Sequence, residues 1–95
     1  MPRAIYNGTI IAESDQTQMV EGNHYFPPDA VKWDYLSRTD HSTVCPWKGT
    51  ASYYTLQVDG EEQANAAWQY ETPKDAAQNI KDHIAFYTRF VTVES

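Results

Sequence analysis

Ninety-five residues suffice for one small domain with a single hydrophobic core and are too few for two domains. A 41% hydrophobic, 14% aromatic composition with seven tyrosines and three tryptophans excludes a disordered chain. The 13 acidic side chains against 7 basic ones, net charge −6, argue against nucleic-acid backbone and anionic membrane partners.

A lone cysteine, Cys45, precludes an internal disulfide, and the N-terminal M-P-R-A-I-Y-N-G lacks the apolar core of a signal peptide. No apolar run approaches the roughly 20 residues of a membrane helix, so the expected location is cytoplasmic. Ala4 to Glu13 then reads as two short strands around Asn7-Gly8, a dipeptide that tolerates positive φ at both central positions of a type I′ turn. Ser14-Asp15-Gln16 is a turn cluster, and Gln18 to Glu21 predicts a third strand ended by Gly22-Asn23. Pro27-Pro28 lacks two successive N–H donors, so the chain leaves the sheet after His24-Tyr25-Phe26, with one helical turn allowed at Asp29-Ala30.

Val31 to Leu36 alternates apolar and polar residues, placing Val31, Trp33 and Tyr35 on one face of a predicted strand. Ser37 to Thr43 reads as a polar loop feeding a turn at Cys45-Pro46-Trp47-Lys48-Gly49. Ala51 to Val58 is the strongest strand, ending at the hairpin signal Asp59-Gly60, and Glu61 to Tyr70 returns antiparallel with an interruption near Ala64-Asn65-Ala66-Ala67. Thr72-Pro73 predicts the one helix, with threonine as N-cap, Asp75 in the first turn, an apolar stripe of Ala76, Ile80 and Ile84 joined by Ala77, and an end near His83. Phe86 to Val93 closes the chain as a strand or extended tail. The fold class is mainly β: a small single domain, residues 1–95, of coiled antiparallel sheets with one helix near the C-terminus.

The densest chemistry lies in V-C-P-W-K-G-T-A-S-Y-Y at 44–54. Cys45 is either a thiol activated at a turn or, more commonly for a free cysteine, a buried small hydrophobe. Lys48 either binds an anion or lays its stem over Trp47 and keeps its charge in water. Lys48-Gly49-Thr50 lacks the upstream glycine and the strand–loop–helix setting of a phosphate loop. His24, His41 and His83 with Cys45 match no compact zinc spacing. Tyr53 and Tyr54 must face opposite sides of their strand, one toward the core and the other toward a surface or cleft. Glu61-Glu62 and Asp29 to Asp34 read as solvated positions rather than acid–base pairs.

The ordered words G-N-H-Y-F-P-P-D at 22–29, C-P-W-K-G-T-A-S-Y-Y at 45–54 and A-A-W-Q-Y at 66–70 resemble the domain of unknown function 427 family, sometimes labelled nucleotidyltransferase-like. The resemblance also takes in the opening hairpin and A-F-Y at 85–87. It implies a compact β domain similar to coiled-sheet tent folds, with a pocket lined by the motif residues. The zinc that some tent-fold relatives hold through paired C-x-x-C knuckles is not carried over to a chain with one cysteine. Nor does the sequence contain the carboxylate pair or glycine-rich loop that the nucleotidyltransferase label would need.

The sequence thus points to a small-molecule ligand, of unknown identity, held in an aromatic cleft by Tyr25, Cys45, Trp47, Lys48, Tyr53, Trp68 and Tyr70. Two alternatives stand beside it: an enzyme using the same cleft with Lys48, Cys45 or a tyrosine as the reactive group, and an interaction module or homodimer presenting its aromatic surface. No cofactor, metal, nucleic acid or membrane is called for.

Overall fold

The computed structural model describes residues 1–95. Nine strands are present: β1 (Arg3–Tyr6), β2 (Thr9–Glu13), β3 (Gln18–Val20), β4 (Asn23–Tyr25), β5 (Leu36–Cys45), β6 (Gly49–Val58), β7 (Glu61–Gln69), β8 (Ile84–Phe86) and β9 (Thr92–Glu94). They form three antiparallel sheets, in the orders β2-β1-β9, β3-β4 and β5-β6-β7-β8. The mainly β expectation holds.

Three hairpins turn on two residues that both take positive φ: Asn7-Gly8 (48°, 76°), Glu21-Gly22 (53°, 81°) and Asp59-Gly60 (49°, 85°). These are type I′ geometries, whose twist matches that of the flanking strands. Two were legible as Asn-Gly and Asp-Gly. The third carries glutamate in a conformation that asparagine, aspartate and glycine adopt more readily.

The four-stranded sheet is buried on both faces, so the chain holds two apolar clusters where one core was expected. On one face Tyr54, Leu56, Val58, Ala67, Ile84 and Phe86 pack with Ala4, Ile11, Ala12 and Val91 from the β2-β1-β9 side. On the other, Ala51, Tyr53, Trp68, Tyr70 and Ala85 pack with Tyr25, Ala77 and Ile80. Tyr53 and Tyr54 do face opposite ways, as strand alternation requires, but both are buried. The β3-β4 hairpin is tied to the large sheet by reciprocal backbone bonds of Phe26 and Ile84, at 2.8 and 2.9 Å.

Two sequence assignments are corrected. Val31 makes only an isolated bridge to Ala12, and Trp33–Tyr35 is a 3₁₀ turn, while the expected polar loop Ser37–Thr43 lies inside the ten-residue strand β5. The period-two pattern of Val31, Trp33 and Tyr35 reflects that turn's packing: the Trp33 indole donates to the Pro28 carbonyl at 2.8 Å, and its ring meets Tyr54 edge-on at 5.5 Å. β5 shows no alternation because it is an edge strand with little buried side-chain surface; its backbone ladder with β6 defines it, interrupted between Arg38 and Ser42.

The predicted helix from Thr72-Pro73 is also absent. Asp75–Ile80 is 3₁₀ backbone broken at Ala77 (φ −122°, ψ 22°), with only Ala77 and Ile80 buried. Six residues are too few for an α-helix to sustain itself, and Ile84, read as part of its stripe, belongs to β8. The expected interruption of the return strand takes the form of a bulge. β7 runs unbroken from Glu61 to Gln69, its register with β6 shifts between Tyr54 and Leu56, and Asn65 bulges at φ 52° with its side chain accepting from Thr39 at 2.7 Å.

Candidate functional site

The face carrying the smaller cluster gathers all seven residues singled out in the sequence. Tyr53 of β6 and Trp68 of β7 are directly paired across the sheet, and Trp68 is flanked on its other side by Ala85 of β8. Small residues at Ala51 and Ala85 leave room for the large rings beside them. The hairpin brings Tyr25 over this face: its ring stands edge-on to Trp68 at 6.2 Å, and the Trp68 indole N–H donates to its hydroxyl at 3.0 Å. Tyr70 follows directly on β7 and is also buried, while Cys45, at the end of β5, packs half-buried against the cluster.

The turn between β5 and β6 places the cation. Gly49, at φ 114°, has a conformation L side chains rarely adopt, and a Cβ there would lie 3.4 Å from the Thr72 carbonyl oxygen. The same turn is fastened by the Lys74 N–H donating to the Lys48 carbonyl at 2.9 Å and by the Lys74 ammonium donating to the Pro46 carbonyl at 2.7 Å. So held, Lys48 is 7% exposed, and its ammonium lies 5.3 Å from the Trp47 ring centre and 5.5 Å from that of Tyr70. It does not reach into open water as the snorkelling alternative required. Its ionic partner is Glu21, at the tip of the β3-β4 hairpin.

A second edge of the cluster is half-open. Tyr87 is 36% exposed, its ring 4.5 Å from Trp68 and nearly parallel to Tyr53 at 6.4 Å. The Tyr53 hydroxyl bonds Thr43 at 2.9 Å and approaches that of Tyr87 at 3.4 Å, while the exposed His41 ring lies 4.5 Å from Tyr53. The Tyr70 hydroxyl makes no hydrogen bond within the chain, yet no fully buried side-chain polar atom lacks a partner. That hydroxyl therefore touches solvent at the cluster's margin.

Electrostatics divide these groups by role. Burial raises Tyr25, and burial pushes Tyr70 up to about 12 despite the opposing field of Lys48. Tyr87 reaches about 12 chiefly through its hydrogen bond to Tyr53, with burial acting in the same direction. Burial pulls Lys48 down, but the Glu21 hydrogen bond and the fields of Tyr25 and Tyr70 outweigh it and leave the ammonium above its ordinary value. Glu21 is held below the usual carboxylate range by the Lys48 hydrogen bond, against a smaller opposing effect of desolvation, with further pulls from the Lys48 charge and the Trp47 indole. At neutral pH the site is one fixed cation ringed by neutral phenol donors. No group with a resolved shift moves toward neutrality as a general acid or base requires.

Sequence reasoning missed Glu21 and left Tyr87 and Thr43 out of the proposed site. The available signal for Glu21 was its position before Gly22 in a two-residue turn, where a long acidic side chain is an unusual choice. The three histidines and Cys45 are not gathered, and no three His, Cys, Asp or Glu side chains cluster as metal ligands would. The one cavity, about 230 Å³, lies on the hairpin face opposite Tyr25, bordered by Met19, Gly22, Asn23, His24, Phe86 and Thr88. None of the seven residues lines it. The aromatic cluster itself is filled by its own side chains, with the Glu21 hairpin against it.

The chain belongs to the family described as domain of unknown function (DUF427), whose model matches residues 2–95. No match to a curated protein was found. No helix is long and apolar enough to cross a membrane.

Proposed function

We propose that this DUF427 chain binds a small ligand at the margin of the aromatic cluster, its ring surfaces supplied by Trp47 and Tyr70 and its polar contacts by Lys48 and the Tyr70 hydroxyl. The observation that carries this reading is the state of Lys48. A charged lysine whose side chain is only 9% exposed, with its ammonium held over two ring faces, is matched only by Glu21, whose side chain is 53% exposed. Burying a charge is costly, and an apolar residue at position 48 would fill the same space without that cost. A preformed cation inside an aromatic surround gives orientation and specificity to a ligand's polar end.

Binding is favoured over catalysis in this cleft because both Lys48 and the phenols are shifted away from the pH range in which they would exchange protons. The test is native mass spectrometry of the protein purified from its own host, wild type beside Lys48→Met. A small molecule that accompanies the wild type and is lost from the variant supports the reading. A wild type that carries no small molecule, and flies as a clean dimer or with a protein attached, overturns it.

A further inference from the structure

We propose that the ligand presents a carboxylate to Lys48, as the acid group of a flat aromatic molecule, and that Glu21 is the chain's own carboxylate standing in its place. This inference rests on the ligand-binding reading above and adds the class of ligand and the means by which Lys48 is covered.

The first observation is the choice of residue at the hairpin tips. Three two-residue turns share one backbone geometry, and at their first position stand Asn7, Asp59 and Glu21. Asparagine and aspartate are the residues that this left-handed conformation favours. Glutamate gains nothing there from the backbone. What it supplies is reach: its carboxylate extends from the tip to the Lys48 ammonium.

The second observation is the charge balance. One ammonium and neutral phenols suit a single negative charge. A phosphate would bring up to two charges, and it is usually met by several cations or by a cradle of backbone N–H groups. Here the neighbouring cation Lys74 is engaged by the Pro46 carbonyl. Trp47, 40% exposed beside Lys48, leaves an aromatic face available to a ring attached to the acid.

The third is how the stand-in is mounted. Glu21 sits on a separate two-stranded sheet, and an isolated hairpin is marginal on its own. Its base is secured by the Phe26–Ile84 bonds and by Thr17 to His24 at 2.9 Å, but the tip residues Glu21 and Gly22 are exposed. Displacing one carboxylate by another therefore needs only the tip to yield. Closure by Glu21 lowers apparent affinity by the fraction of molecules in which Lys48 is free.

Calorimetric titration with benzoate, phenylacetate and indole-3-acetate, their primary amides, and inorganic phosphate tests the assignment on the wild type, Glu21→Gln, Glu21→Asn and Lys48→Met. Glu21→Asn installs the residue the turn prefers, so it keeps the hairpin folded should Glu21→Gln fail to fold. At least one acid is expected to bind a Glu21 variant tenfold or more tightly than the wild type, its amide to bind neither, and Lys48→Met to lose the acid. Acids that bind the Glu21 variants no more tightly than the wild type, amides that match their acids, or phosphate that outcompetes every acid would each overturn the carboxylate assignment. If the wild type still carries a molecule from its host in native mass spectrometry, the ligand-binding reading survives that failure. If wild type and Glu21 variants are all empty there, both fall.

Discussion

The Trp68 indole N–H donates to the Tyr25 hydroxyl at 3.0 Å, joining β7 to the β3-β4 hairpin between residues 43 apart in sequence. Both side chains are buried. Tyr25→Phe keeps the ring and its edge-on contact but leaves a buried donor without its partner, a loss of about 1–3 kcal/mol. Urea unfolding of the single variants and of Tyr25→Phe/Trp68→Phe checks this, with the double variant expected to lose less than the two singles together.

Gly49 is the backbone condition for the position of Lys48. Gly49→Ala forces a Cβ into a φ of 114° and against the Thr72 carbonyl, so a destabilisation of roughly 1–3 kcal/mol is expected. A variant as stable as the wild type in denaturant titration would show that this turn carries no such demand.

Lys48 and Glu21 are expected to be coupled. Glu21→Asn alone leaves the ammonium without its counter-charge and lowers the melting temperature, even though asparagine suits the turn better. Adding Lys48→Met removes the orphaned charge and returns the melting temperature to the wild-type value or above. Calorimetric melting of both singles and the double gives the coupling directly, and additive effects would argue against the pair.

Stability is expected to fall in alkali. The folded-state values of Tyr25, Tyr54, Tyr70 and Tyr87 all lie above the ordinary 10.0, with Tyr70 and Tyr87 at about 12. The folded chain therefore keeps protons that the unfolded chain releases, and this contribution is complete below pH 10 and lost as the pH rises toward 12. Tyr70 alone accounts for on the order of 2 kcal/mol over that span. Lys48, raised above 10.5, acts with the same sign at higher pH, whereas the contribution of Glu21, lowered from 4.5, is lost only as the pH falls below that value. Urea midpoints that stay flat between pH 9.5 and 12 would contradict this.

The sequence announced what local chemistry determines. Asn7-Gly8 and Asp59-Gly60 mark their turns, Ala51 to Val58 marks the central strand, and the return strand from Glu61 sets Trp68 and Tyr70 beside Tyr53, whereas the expectation of a shared pocket with Cys45 and Lys48 came from the family resemblance of the motif words. β5 was hidden because an exposed edge strand need not alternate, its ladder with β6 being a non-local fact. The helix was over-read because capping signals at Thr72-Pro73 say where a helix can begin, not whether enough residues follow to sustain it. Glu21 was missed because its partner lies 27 positions away, on a turn whose geometry no local pattern reveals.

The pairing of β1 with β9 has a mechanical consequence. Arg3 lies opposite Glu94, so the two chain ends leave the molecule side by side from the same end of one antiparallel ladder. Tension applied between them opens that ladder one hydrogen bond at a time, beginning at the Arg3–Glu94 contact, instead of shearing all its bonds at once. Loaded this way, the chain surrenders β9 first, and only then does the pull reach β8, the edge strand that lies beside Trp68 in the four-stranded sheet.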